Sequence, residues 1–574
     1  MRFPSRLGVA LTALSLVVVA CSSSGTDPTT TSTLTFTTST LPVTTTSTPV
    51  LTTTTEDSPC PDSFCVIYHI QPDATWSDGV AVTADDFAFT LEAVLDPLNG
   101  AAETSGYDLI TSEEVIDTKT VLFAFSEIYG PWQSLFEFVL PSHVLTGVDS
   151  EDVPGFALAT TSGPFVVHEW IEGERITLRR NDRYWPSKDP LSESPLGSVD
   201  LVHFVYPEST RDMMSDLEDG VIDVVNPRPL EWIVAEAKDV DGLSHQLAPG
   251  PFWDHIDFNH DDPLLSQKWV REVITLAIDR ETILDKTVRN VDPAAVVLDS
   301  TVSMTNSSVF EPHLGNRYDP EAAEQILVDR FCVKDDDDIY SCQGRRMSFV
   351  WATTLGDEFR ETQFGVIQDA LEAIGVELIG DFMTPSRLFS TDVFFGGPEM
   401  WQIINFSWKA AADPYLGNST YFCEGSAPNG FGALNVNRYC DREVDALIRS
   451  TDSQADGSER SRIYNEADAR YLGDLAMIPL YQKPAFIAWN TEISGPELNI
   501  SRSTDLWNIA AWTGKEVVVI ALESEPQLLN PVVPHDTSEA MVLAALFSGA
   551  FGITPTMEFR PVLIESAETI VSER

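Results

Sequence analysis

A chain of 574 residues, 43% hydrophobic and 21% charged, has an ordinary soluble composition and enough length for more than one cored domain. Its 88 acidic residues against 35 basic ones leave a formal net charge of −53, which repels nucleic-acid phosphates and anionic lipid, so no nucleic-acid partner is expected. An acidic surface that stays soluble at high salt accounts for this charge more simply than capture of cationic ligands.

At the start of the chain, Arg2 and Arg6 precede an apolar run, Leu7–Ala20, that is too short to span a bilayer; residues 1–20 have the layout of a signal peptide. The run ends in "VVAC" at Cys21, which resembles the lipobox of bacterial lipoproteins and makes Cys21 the expected lipidation site. Residues 21–59, dominated by Ser, Thr and Pro, bury too little apolar surface to fold and are expected to act as a tether. The remaining cysteines fall as close pairs, Cys60 with Cys65, Cys332 with Cys342 and Cys423 with Cys440. Three local disulfides in an oxidising compartment are the simplest pairing, and no pair has zinc-ribbon or CxxC spacing, so neither metal nor cofactor is expected.

The stretch "ATWSDGVAVTADDFAFTLEAVLDP" (Ala74 to Pro97) reads as a polar turn feeding a helix. Thr83 and Asp86 form a capping-box-like start, Phe87, Leu91, Val94 and Leu95 recur at helical spacing, and Pro97 stops the run. Further on, Trp269, Val270, Val273, Ile274, Ala277 and Ile278 make one apolar helical stripe. "MSFVWA" (Met347 to Ala352) predicts a strand, Phe364 to Ile374 an amphipathic helix stopped by Gly375, and "VELI" (Val376 to Ile379) the next strand. That is a βαβ unit with parallel strands. Near the end, "GKEVVVIALESEPQLLNP" (Gly514 to Pro531) predicts a β-branched strand, a polar turn and an Asn-Pro stop. No G-x-S-x-G elbow, H-E-x-x-H or P-loop occurs, so no enzyme is expected. "DHIDFNHDD" (Asp254 to Asp262), with His255 and His260, has metal-ligand residue types but reads more simply as a strand and loop.

Several of these stretches, taken in order, resemble the family 5 extracellular solute-binding proteins of bacterial ABC importers. The Trp-Ser-Asp-Gly turn and helix come first; "SGPFVVHEWIEGERITLRRNDRYW" (Ser162 to Trp185), "LEDGVIDVV" (Leu217 to Val225), "HIDFNHDDPLLSQKWVREVITLAIDRETIL" (His255 to Leu284), "YCDREVDALI" (Tyr439 to Ile448) and "MIPLYQKP" (Met477 to Pro484) follow. The resemblance covers about residues 65–512. It implies an α/β, two-lobe periplasmic-binding-protein-like fold of type II, with an additional domain on lobe I and a hinge between the lobes. It further implies a monomeric, lipid-anchored receptor outside the cytoplasmic membrane that captures a peptide or related small solute and delivers it to ABC permease subunits. The expected division is an additional domain over 60–160, lobe I over 161–255, lobe II over 256–480, and a return to lobe I over 481–512. A secreted hydrolase or a transporter-independent surface protein on the same fold is the alternative.

Two departures from the family pattern stand out. Family members open with a strand, a Glu-Pro-x-x-Leu-x-Pro turn, a helix and a further strand, and nothing of that kind precedes Cys60. Here it comes last, as "VVVIALESEPQLLNP", "SEAMVLAALFSGAFG" (Ser538 to Gly552) and "FRPVLIESAET" (Phe559 to Thr569). Residues 513–574 are therefore expected to be a displaced N-terminal segment completing lobe I, a circular permutation; a truncated second domain and an unrelated α/β tail are the other readings. The second departure is at the site. In peptide-binding members a carboxylate in Trp-x-x-Asp-x-x-Asp-Pro holds the peptide amine, but "FSWKAAADPYL" (Phe406 to Leu416) has Ala411 there and is one residue short. The resemblance thus leaves Trp408, Asp413 and Lys409 as ligand candidates, with Trp401, Trp253 and Phe252 as apolar walls. Asp536 joins them from the loop Val532 to Glu539, which approaches the cleft in the family.

Overall fold

The computed structural model of the chain describes residues 50–53, 60–101, 104–147, 160–423, 434–499, 506–533 and 536–572. The expected signal peptide, Cys21 and most of the expected tether lie outside them. Among the described residues, no helix is long and apolar enough to cross a membrane.

A ten-stranded sheet runs through both lobes. Its centre is a pair of long antiparallel strands, Leu243–Phe258 and Met477–Asn490, each with one end in either lobe. On the lobe II side follow Ile403–Lys409, Ser348–Thr354 and Glu377–Met383; on the lobe I side Val224–Val225, Val517–Ala521, Leu201–Val205, Arg175–Arg180 and Phe165–Ile171. The register of the crossing pair shifts twice, between Pro479 and Tyr481 and between Gln482 and Pro484. Such bulges bend a strand locally.

Lobe II builds the βαβ unit that the apolar pattern predicts. Ser348–Thr354 and Glu377–Met383 run parallel, joined by the helix Glu358–Ala373, which starts a turn and a half earlier than its apolar stripe. Asp357 caps that helix, accepting hydrogen bonds from the Phe359 and Arg360 amides, so polar first-turn residues extend it. The stripe on Lys268–Ala277 packs Trp269, Val270, Val273, Ile274 and Ala277 into the lobe II core beside Trp351 and Tyr471.

Lobe I takes its inner strand from the end of the chain. Val517–Ala521 lies between Leu201–Val205 and Val224–Val225, parallel to both. Asp223, the acidic residue of "GVIDVV", fixes it: its carboxylate accepts from the Val519 amide at 2.9 Å and pairs with Lys515. Entry into the strand needs a glycine at 514, where φ is 106° and a Cβ would sit 1.8 Å from the Glu492 carbonyl oxygen. The helix Thr537–Leu546 then buries Met541, Val542 and Leu546 in the lobe I core with Ile520 and Trp512.

The additional domain is a five-stranded sheet covered by the helix Ala84–Leu95. Asp86 is almost fully buried and ties the domain together: it accepts from the Thr83 amide (2.8 Å), the Trp76 indole (3.1 Å) and the Ser142 amide (2.8 Å). Phe64–Ile70 pairs antiparallel with Ile564–Ser572, and the Ser572 amide donates to the Ser63 carbonyl at 3.0 Å. Within the expected tether, Val50–Thr53 pairs parallel with Ile564–Ser572 at the edge of this sheet. The three disulfides join the expected close pairs, Cys60–Cys65, Cys332–Cys342 and Cys423–Cys440.

Candidate ligand-binding cleft

Between the lobes lies a cavity of about 1090 Å³, slightly larger than the volumes usual for ligand sites. The crossing strands supply Phe252, Trp253 and Lys483; lobe II supplies Asp357, Phe359 and the end of Ile403–Lys409; lobe I supplies Arg228, Pro531, Val532 and Asp536. The additional domain closes one side with Tyr129 and Gln133. The Val532 to Glu539 loop therefore reaches the cleft, although residues 534 and 535 lie outside the described ones.

Trp253 and Trp408 face each other across the ladder between Leu243–Phe258 and Ile403–Lys409, with His255 opposite Phe406 one step along. Residues two apart on a strand share a face, so these rings form one block. The Trp408 ring lies parallel to His255 with centroids 6.1 Å apart, and Phe406 meets Trp408 edge-on at 4.9 Å. Trp401, expected on an apolar wall, does not line the cavity. It is fully buried among Leu388, Val393 and Ile404, with its indole donating to the Val393 carbonyl, so it supports the wall from behind.

Asp413 lines the cavity but is held by Arg460 from the helix Gly457–Gly473 through two hydrogen bonds, one of them 3.0 Å. Its carboxylate is thus already neutralised. Asp536 caps the helix Thr537–Leu546, accepting from the Glu539 amide at 2.8 Å while Glu539 accepts from the Asp536 amide. Lys409 stands at the end of its strand, exposed to the cavity.

A buried charge network that the sequence pattern does not mark forms the adjoining wall. Asp254, fully buried, accepts from Gln363 (2.9 Å) and Ser407 and lies 3.4 Å from Lys483 and 3.5 Å from Arg360. Burial opposes its ionisation, but the Lys483 ammonium and Arg360 guanidinium, with the Ser407 and Gln363 hydrogen bonds, hold its carboxyl well below the usual range. Asp357 follows the same balance: burial raises it, and Lys483 and Arg360 lower it further than that. Arg228, from lobe I, reaches Asp357 of lobe II at 3.6 Å, so an ion pair crosses the cleft. Only its flanking prolines, Pro227 and Pro229, signal Arg228 in the sequence, by stiffening the loop that presents it.

The two histidines of "DHIDFNHDD" part company. His255 pairs with Asp257 at 3.1 Å, whereas His260 bonds the Ala476 carbonyl and burial pushes it down to about 3. No group of metal-ligating side chains occurs among the described residues.

Comparison with known proteins agrees with this architecture. The profile for "Bacterial extracellular solute-binding proteins, family 5 Middle" matches residues 48–426. The oligopeptide-binding protein OppA of Mycobacterium tuberculosis is 26% identical over 438 residues, covering 74% of this chain and 70% of that protein. The oligopeptide-binding protein AppA of Bacillus subtilis is 24% identical over 457 residues, covering 77% and 79%. The solved structure of the periplasmic EDTA-binding protein EppA superposes with a TM-score of 0.64 at 22% identity, over 79% of this chain and 85% of that one, a likeness of fold. These relatives are binding proteins rather than enzymes, and with the profile spanning most of a two-lobed chain the protein belongs to the bacterial extracellular solute-binding proteins, family 5.

Proposed function

We propose that this protein is the receptor of an ABC importer, capturing a peptide or a related small solute between its lobes and presenting it to permease subunits. The observation that carries the reading is the cavity of about 1090 Å³ bounded by both lobes and spanned by a pair of crossing strands. A solute held by both walls stabilises the closed form over the open one, and that difference is the signal a permease reads. The family's relatives support the solute class only broadly, since their names run from oligopeptides to EDTA. Trp408, Trp253, Phe252, Lys409 and Asp536 are the proposed ligand contacts. Asp413 serves mainly to hold Arg460. The receptor works as a monomer, anchored by lipid on Cys21, with signal peptide 1–20 and tether 21–59 holding the lobes off the outer face of the cytoplasmic membrane.

Within this reading the chain divides as additional domain 60–160, lobe I 161–255, lobe II 256–480, return 481–512, and 513–574 as a circularly permuted N-terminal segment. The antiparallel pairing of Phe64–Ile70 with Ile564–Ser572 supports the permutation, because a short hairpin would join the two in the opposite chain order. Moving residues 513–574 ahead of Cys60 should then give a protein with the same melting temperature and ligand response. The function itself is tested by thermal shift against peptides, sugars, polyamines and metal chelates. One class should raise the melting temperature, by about 2.7 kcal/mol in stability at a hundred times Kd. No response to any of them overturns the reading.

A further inference from the structure

After the helix Thr537–Leu546 the chain forms a small hairpin, Phe551–Ile553 with Phe559–Pro561, before entering Ile564–Ser572 of the additional domain. The base of the hairpin is held on the lobe I side. Asn499 donates to the Ile553 carbonyl at 2.7 Å, Arg560 donates to the Leu191 carbonyl at 2.8 Å, and the Phe551 ring meets Trp132 edge-on at 5.6 Å. Its tip goes the other way. Met557 is buried in the hydrophobic core of lobe II, a cluster whose other buried members among the described residues all lie within 253–481. Beside it, the Asn306 side-chain amide of lobe II donates to the Pro555 carbonyl at 3.0 Å.

Met557 is also an unexpected residue for its turn. The Thr554 amide donates to the Glu558 carbonyl at 3.0 Å and the Met557 amide to the Thr554 carbonyl at 2.9 Å, which closes a three-residue loop, Pro555 to Met557. The last position of such a loop is left-handed and calls for glycine, yet Met557 holds it with φ at 64°. A side chain persists in that region where its surroundings over-determine it, and here the surroundings are the lobe II core. That seat has little slack, since in a close-packed interior a gap of about 0.5–1 Å forfeits a quarter to a half of the dispersion contact. The crossing lies next to the joint between the lobes: Gln482, at the second interruption of the crossing ladder, donates to the Asn306 side-chain oxygen at 3.4 Å and accepts from the Thr305 amide at 2.8 Å. Phe551, Ile553 and Phe559 line the cavity, so the hairpin is wall and tie together.

We infer that this hairpin is a strap between the lobes with Met557 as its catch: seated, it biases the cleft toward closure through protein contacts alone, and opening withdraws Met557 from lobe II. The inference goes beyond the receptor reading, and its test uses no solute. A reporter of opening lies elsewhere on the molecule, where the buried Gly130 amide of the additional domain donates to the Asp452 carbonyl of lobe II at 2.7 Å. Its exchange with deuterated solvent, followed by mass spectrometry on the purified protein, tracks the open-to-closed ratio. The next residue, Pro131, has no amide to blur the reading.

Met557→Gly suits the turn and removes the catch, so it should keep a cooperative thermal transition while exchange at Gly130 rises about tenfold or more, the scale of one buried methionine. Amides of the lobe II strand Ser348–Thr354 should keep their protection. Met557→Leu, which restores an apolar side chain, should exchange like the parent protein. Unchanged exchange at Gly130 in Met557→Gly, an equal rise in Met557→Leu, or a matching loss of protection in Ser348–Thr354, the sign of a core residue with no strap role, each overturns the inference. Should Met557→Gly fail to fold, Asn306→Ala decides in its place: faster exchange at Gly130 supports the strap, and unchanged exchange overturns it. Any of these results leaves the receptor reading standing.

Discussion

The two halves of the ten-stranded sheet are built by different routes. In lobe II, Ser348–Thr354, Glu377–Met383 and Ile403–Lys409 come from one short stretch of chain, with the connecting helix between the first two. In lobe I, Val517–Ala521 is slotted between Leu201–Val205 and Val224–Val225, which lie some three hundred residues earlier in the chain. The three outer strands of the lobe II half thus come from neighbouring chain, whereas the lobe I half takes in Val517–Ala521 across a long separation, and loop-closure entropy weighs more heavily on it.

Removing residues 514–574 should separate the halves most sharply. Lobe I would lose its inner strand and the helix Thr537–Leu546 together, and the additional domain a central strand, a loss beyond the usual total stability of 5–15 kcal/mol. We expect no cooperative thermal transition from lobe I and protease resistance confined to lobe II; an unchanged melting temperature would refute the comparison. Cavity-forming substitutions probe it next. Trp351→Ala in lobe II should cost about 3–5 kcal/mol and Ile520→Ala in lobe I about 2–5, both side chains being fully buried. If the continuous sheet couples the lobes, denaturant unfolding stays a single transition in both variants; if local assembly dominates, Ile520→Ala splits off a lobe I transition first.

Asp223→Ala, which frees the Val519 amide and Lys515, should cost about 1–3 kcal/mol in urea unfolding and act on lobe I alone. The smallest effect is expected where the additional domain touches lobe II, at the Gly130 amide and the Asp452 carbonyl. Burial raises the Asp452 carboxyl to about 6, against the hydrogen bond from Asn418 and the Arg460 charge. Its folded-state pKa is thus above the unfolded one. The stabilising contribution is fully present below about pH 4 and lost as pH rises through 6. Asp452→Asn should therefore raise stability by about 1 kcal/mol at pH 8 and change little at pH 4, discounted for its partial exposure.

What the sequence reveals follows the same division. The βαβ unit, the capped helix at Ala84–Leu95, the Lys268–Ala277 stripe and the close cysteine pairs each rest on neighbours in the chain, where periodicity and caps are readable. The cavity's charge network is not readable, because Arg228, Asp357 and Lys483 are ordinary polar residues until three distant segments meet. Among the tryptophans, sequence could not separate Trp408, on the cavity, from Trp401 seven residues earlier, sealed behind it; Trp401 stands just ahead of the strand that carries Trp408, and tertiary packing decides which ring faces the cleft.

The bulged crossing strand has a mechanical consequence. Because the sheet is continuous, the lobes cannot part by swivelling on loops; the pair Leu243–Phe258 and Met477–Asn490 has to flex like a leaf spring, and a spring yields where its ladder is interrupted. The second interruption, between Gln482 and Pro484, contains Lys483, whose ammonium links Asp254 to Asp357. Bending and charge pairing therefore share one residue: the position where the ladder is interrupted is the one that carries the ammonium set between two carboxylates.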